Sequence, residues 1–326
     1  MLRVFNNKNP LIVIFFPIIT FGFLYFYPDL TSLKDVTNKP LIYRELIASF
    51  GKNFSVFYII FSVLFLSVNS IFFNRIIRNL QIVKSFGNIH GFIFLFLFGI
   101  IIRYIDILQI SIAVFFFLVT LRFLTGSLRK QNAIFAFFNA GLALSAASFF
   151  EIHFLYLYPV IIYGLFIFRT VNFREFFTSL LGVALPGFFY FSIYFFVNSN
   201  FEIIDESYNI LFAGKTQLNI NLNLLISISV FIVLLLISSF YIITKYRTSE
   251  TDLQVYYKFF FLIFITTIAG QIFLYKYDLS FIAVIILTSS VPLGVFFANK
   301  QNTRFSEILF DIFLLCVIFS QTGFLR

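Results

Sequence analysis

Apolar runs of about 15–22 residues alternate with short polar breaks along almost the whole chain, the pattern of repeated membrane crossings. In hydrocarbon the backbone has no hydrogen-bond partner but itself, so each run is predicted to be a helix. The spans fall at 10–27, 55–73, 89–104, 107–124, 133–150, 154–168, 176–197, 223–243, 259–275, 280–298 and 307–323. Only Arg103 and Asp106 interrupt residues 89–124. A single helix of that length would be about 54 Å long against a hydrocarbon core of about 30 Å, so two spans with a tight turn near Asp106 are expected. Glu151 and His153 mark a similar break within 133–168. One segment has a different period. Leu41, Ile42, Leu46, Ile47 and Phe50 recur at helical spacing with Arg44 and Glu45 between them, which reads as a short amphipathic helix lying in the membrane interface.

The fold class that follows is all-α: a polytopic transmembrane helix bundle of about 11 spans, with residues 1–326 forming a single integral membrane domain. The two longest gaps, 28–54 and 198–222, are its outer loops. The first span has Arg3 and Lys8 before it but bulky Phe23, Tyr25 and Tyr27 where a cleavage site needs small residues, so it is expected to be retained.

Composition strengthens this picture. The chain is 60% hydrophobic and only 11% charged, under half the charge of a soluble domain, which excludes a soluble enzyme, a disordered chain and a porin-type barrel. Its 55 Phe against no Trp suit an AT-rich genome, so the phenylalanines need no functional explanation. The lone Cys316 can form neither an internal disulfide nor a metal site.

Charge sets the orientation. The net charge of +9 reads as helix anchoring, and no nucleic-acid partner is expected. With the N-terminus inside, fifteen of the 23 Lys and Arg fall in inner segments and eight in outer ones. Nine of the 14 acids fall outside. The bias favours a cytoplasmic N-terminus and a periplasmic C-terminus in a bacterial inner membrane.

Candidate chemistry gathers at the outer ends of the spans. Tyr27-Pro28-Asp29 closes the first one, and Lys34, Lys39 and Arg44 follow in the first outer loop. A carboxylate at a span mouth beside interfacial cations suits activation of a hydroxyl near a lipid phosphate, with Asp29 as base. The plainer reading of Asp29 is a solvated helix end. Asp106, placed to share a helix face with Arg103, is a second outer acid whose plainer role is an ion pair. Glu151 is a third. On a continuous helix, Glu151 and His153 would point about 200° apart and could not face one ion. No metal site is therefore assigned and no cofactor is predicted, a divalent metal being the one compatible addition. Arg304, Glu307 and Asp311 form a stripe entering the last span, an alternative site for transport. Asn139 to Ser148 is a small-residue stripe, with Gly141 and Ser145 four apart, which lets helices approach closely.

Two resemblances bear on function. Residues 133–197 carry Arg169, then Arg174-Glu175, then Gly182 and Pro186, and Asn74 to Phe86 adds to the pattern. This resembles an uncharacterised multi-pass inner-membrane family of Bacteroidota, known by a domain-of-unknown-function label, which implies no activity. More broadly, an acid in the first outer loop, an interfacial helix there and about eleven spans resemble the GT-C class of membrane glycosyltransferases. The resemblance implies a polyprenyl-phosphate-linked sugar as substrate and membrane lipids as partners. Asp29 is followed by Leu30 where a second acid is usual, and no soluble C-terminal domain is expected. The expected function is a GT-C-like lipid-linked sugar transferase or a degenerate relative at the outer face. The alternatives are a transporter or lipid flippase, and a non-catalytic scaffold of an envelope complex.

Overall fold

The apolar runs of the sequence reappear as helices in the computed structural model, which describes residues 15–25, 40–49, 54–82, 87–102, 104–128, 132–168, 172–198, 222–246, 251–274, 280–299 and 304–321. In chain order the helices are α1 (Phe15–Tyr25), α2 (Leu41–Ser49), α3 (Phe54–Asn79), α4 (Ile89–Ile101), α5 (Ile107–Thr125) and α6 (Ile134–Phe150). A 3-10 helix over Ile152–Leu157 leads into α7 (Tyr158–Phe168), followed by α8 (Phe173–Asn198), α9 (Leu222–Tyr246), α10 (Thr251–Leu274), α11 (Ser280–Asn299) and α12 (Arg304–Gln321). No strand occurs among the described residues, and the fold is all-α.

Among the described residues, six helices are long and apolar enough to cross a membrane: Val56–Asn79, Ile107–Thr125, Phe173–Val197, Asn223–Thr244, Thr251–Phe273 and Phe281–Asn299. The apolar helices Phe15–Leu24, Ile89–Ile101, Ile134–Phe150 and Ile152–Phe168 are shorter. The segment expected in the interface is α2, which buries Tyr43 and Ile47 and turns Glu45 outward.

The run 89–124 is divided as its length demands. Asp106 has extended backbone angles (φ −75, ψ 103) and caps α5. It therefore stands outside the helix that the sequence pattern had it sharing with Arg103, which lies outside the described residues. Glu151 is likewise extended (φ −139, ψ 101), closing α6 before the 3-10 helix begins. Pro159 sits in the first turn of α7, where a missing amide hydrogen costs nothing.

Hydrogen bonds fix which helix ends lie together, and Ser70 near the end of α3, donating to the Gly91 carbonyl at the start of α4, sets that successive pair antiparallel. Tyr58 at the start of α3 reaches Asp106 at the start of α5, and Glu175 at the start of α8 accepts the Ala133 amide at the start of α6. Gln321 at the end of α12 donates to the Gly99 carbonyl near the end of α4. The result is a bundle with two unlike ends. Arg75, Arg78, Arg122, Arg174 and Arg304 stand exposed at one, where Glu175, Asp252, Glu307 and Asp311 also lie. Glu45, Asp106 and Glu151 lie at the other with Arg44, so that among the described residues acids outnumber cations only at this acid-rich end.

The centre is α4, α5 and α11, all largely buried, while α8 lies at the periphery with Phe173, Phe188 and Phe196 facing outward. The small-residue stripe of α6 serves the close approach expected of it. A Cβ on Gly141 would strike the Ser179 carbonyl, and one on Gly182 would strike the Phe138 carbonyl. The backbones of α6 and α8 meet at these two glycines.

Candidate functional site

The polar groups at the acid-rich end form one connected set. Asp106 caps α5 because its carboxylate accepts the Gln109 amide at 3.2 Å. The same oxygen accepts the Tyr43 hydroxyl at 2.8 Å and the Tyr58 hydroxyl at 3.2 Å. Tyr58 in turn accepts the Ile107 amide at 3.1 Å. Both tyrosine side chains are fully buried, packed with Ile47, Leu108 and Ile112. Burial and the neighbouring Asp106 charge hold the Tyr43 phenol well above its ordinary pKa of 10.0, so it remains a donor. The consequence is mechanical: α2 is pinned to the bundle through Tyr43, with half-buried Arg44 beside the pin.

Gln109, one helical turn below Asp106, extends the set to α6. Its side-chain amide donates to the Phe150 carbonyl at 2.9 Å and to Glu151 Oε2 at 2.7 Å. The other oxygen of Glu151 lies 2.7 Å from His153 Nδ1. Glu151 and His153 are 3% and 2% exposed, so this carboxylate–imidazole pair is closed off from solvent. The separation expected on a continuous helix does not hold. Glu151 belongs to neither helix, and its extended backbone turns the carboxylate onto the His153 ring. The pair can hold one shared proton, with Gln109 fixing the carboxylate. It supplies two ligands where a catalytic zinc site uses three, and no group of three such side chains gathers among the described residues.

Beside this set lies a cavity of about 420 Å³. Pro40, just before α2, and Ile42 of α2 border it on one side, with Ser145, Ser148 and Phe149 from α6, Ile152 and Leu155 from the 3-10 helix, and Val183, Gly187 and Tyr190 from α8. Small side chains on the facing helices leave the space, and the Phe149 and Tyr190 rings, 5.3 Å apart, flank it. Its walls are mainly apolar, suited to a hydrocarbon chain.

Of the residues singled out from the sequence, Asp106 and Glu151 are brought into one network through Gln109, and Arg44 sits on the pinned helix. Asp29, Lys34 and Lys39 lie outside the described residues. The stripe Arg304, Glu307 and Asp311 does not enter the bundle. The inward face of α12 is Ser306, Phe310, Phe313 and Val317, leaving Arg304 and Asp311 exposed and Glu307 at the boundary. Tyr43, Tyr58 and Gln109 were not singled out. The available signal was a glutamine within an apolar run, which a membrane helix keeps only where the amide finds partners.

Family models, curated proteins and solved structures were each compared with the chain, and none matches it. Fold and composition together define a multi-pass helical protein with apolar helices of membrane-crossing length.

Proposed function

We propose that the protein is a GT-C-like transferase of lipid-linked sugars, or a degenerate relative, acting at the outer face of a bacterial inner membrane. The supporting observation is the pinning of α2 by Tyr43 and Asp106 beside an apolar cavity. That arrangement holds α2 beside a space suited to a lipid tail. In this reading the bundle has eleven spans, the acid-rich end is periplasmic, and Arg44, Lys34 and Lys39 hold the lipid phosphate. Asp29 takes the proton of the acceptor hydroxyl. The hydroxyl oxygen then bonds to the sugar's anomeric carbon as the bond to the polyprenyl phosphate breaks. Asp106 and Glu151 act as positioning residues through α2 and the end of α6.

The test is a comparison of glycolipids and surface glycans between host cells carrying the native chain and Asp29→Asn. Loss of one glycan product, with normal protein level, is the expected result. Unchanged profiles overturn the reading. The transport reading built on Arg304, Glu307 and Asp311 gains no support from a stripe that faces away from the bundle.

A further inference from the structure

Helices α9 and α10 follow one another in the chain, yet they scarcely touch; both pack instead on α11. The wedge between them is a crevice of about 330 Å³ that opens sideways, toward the surroundings of the bundle. Its walls are Leu235, Ser239, Ile242 and Ile243 of α9 and Phe260, Phe261 and Phe264 of α10, and its floor is Thr288, Ser289 and Pro292 of α11. From Ile243 to Leu235 the crevice runs eight residues along α9, about 12 Å, most of the depth of one leaflet. Thr288 and Ser289 bring no free donor to it, since their hydroxyls are spent on the Val284 and Ile286 carbonyls of their own helix. The lining is therefore mainly hydrocarbon, with the Ser239 and Tyr257 hydroxyls as its other polar groups.

One lining residue is charged. Lys258 lies seven residues into α10, about 10 Å from the start of the helix, on the cation-rich side of the bundle. It is exposed and has no ion-pair partner among the described residues. A lysine stem of this length lets the ammonium reach the headgroup level while its methylenes lie against the apolar wall. A slot shaped for one acyl chain, with one cation at its mouth, matches an anionic phospholipid and gives no partner to a choline or ethanolamine cation.

We propose that the α9–α10–α11 crevice is a binding site for an anionic phospholipid of the leaflet at the cation-rich end, with one acyl chain in the slot and the phosphate at Lys258. The site is remote from the acid-rich end and does not depend on the transferase reading.

The experiment is native mass spectrometry of the full chain in detergent, supplied in turn with phosphatidylglycerol and phosphatidylcholine of identical chains. The native protein is expected to retain phosphatidylglycerol in preference. Lys258→Gln lowers that preference roughly fivefold, the worth of one lysine near an anionic surface. Lys258→Arg keeps it. Ser239→Phe, which fills the slot from its half-buried wall, removes retention of both lipids while the melting temperature stays unchanged. Equal retention of the two lipids by the native chain overturns the proposal. So does phosphatidylglycerol retention that survives both Lys258→Gln and Ser239→Phe.

Discussion

The two ends of the bundle handle charge in opposite ways. At the acid-rich end, Asp106 and Glu151 are turned into the structure and bonded to tyrosine, glutamine and histidine side chains. At the cation-rich end, Arg75, Arg78, Arg122, Arg174 and Arg304 stand outside it. A buried carboxylate is costly unless donors surround it, so each inward acid requires a set of partners fixed by several helices. A long cationic side chain can reach the interface from an apolar helix face and requires none. The acid-rich end is thus built to hold its parts in place, and the cation-rich end to meet whatever surrounds it. Glu175 is the exception. Buried at the cation-rich end, it accepts the Ala133 amide and fixes the start of α6 much as Asp106 fixes the start of α5.

The largest effect is expected where one acid serves several donors. Asp106→Ala leaves the buried Tyr43 and Tyr58 hydroxyls without their common acceptor and removes the cap of α5, at a cost of about 3 kcal/mol or more. Thermal unfolding in detergent reads that loss, and limited proteolysis should show faster cutting in the 28–54 loop as α2 comes free. Gln109→Leu severs Glu151 from α5 and costs about 1–3 kcal/mol, leaving the α2 pin intact and the loop protected. An Asp106→Ala protein with a native proteolysis pattern would show that α2 is held by packing alone.

Tyr43→Phe sharpens the same point at smaller magnitude, about 1.5 kcal/mol, because it removes one charge-assisted bond and leaves its ring packed. It also carries a pH signature. The Tyr43 pKa is raised on folding, so its contribution is fully present below the unfolded value near 10.0 and is lost as pH climbs through the higher folded value. The native chain should lose stability in that alkaline window, and Tyr43→Phe should flatten this part of the profile. The smallest effect belongs to the other end. Asp311→Asn and Arg304→Ala, both on the exposed face of α12, should change stability by under about 0.5 kcal/mol. A loss of several kcal/mol from either would erase the contrast between the ends.

The helices were legible because the apolar runs have one physical solution in lipid, and each run does hold a helix. Two further features followed from spacing: α2, from the period of Leu41 to Phe50, and the close approach of α6, from its small residues. Its partner was not legible, since Gly182 becomes a contact only when α8 is laid across Gly141. The site was half legible. Asp106 and Glu151 stood out as charges in apolar surroundings. That they share a network through Gln109 depends on how α5 and α6 are rotated against each other, which no local pattern encodes. The pairing of Glu151 with His153 was missed for a different reason. The 200° separation of residues two apart holds only on a continuous helix, and the contact exists because the helix has already ended at Glu151.

The account rests on the acid-rich end being the outer one. Alkaline phosphatase joined after Asn200, just past α8, samples that end, and joined after Lys245, at the close of α9, it samples the other. The cationic bias predicts an active enzyme at Asn200 and a silent one at Lys245. The reverse result would put the α2 pin and its cavity in the cytoplasm and contradict an outer-face transferase.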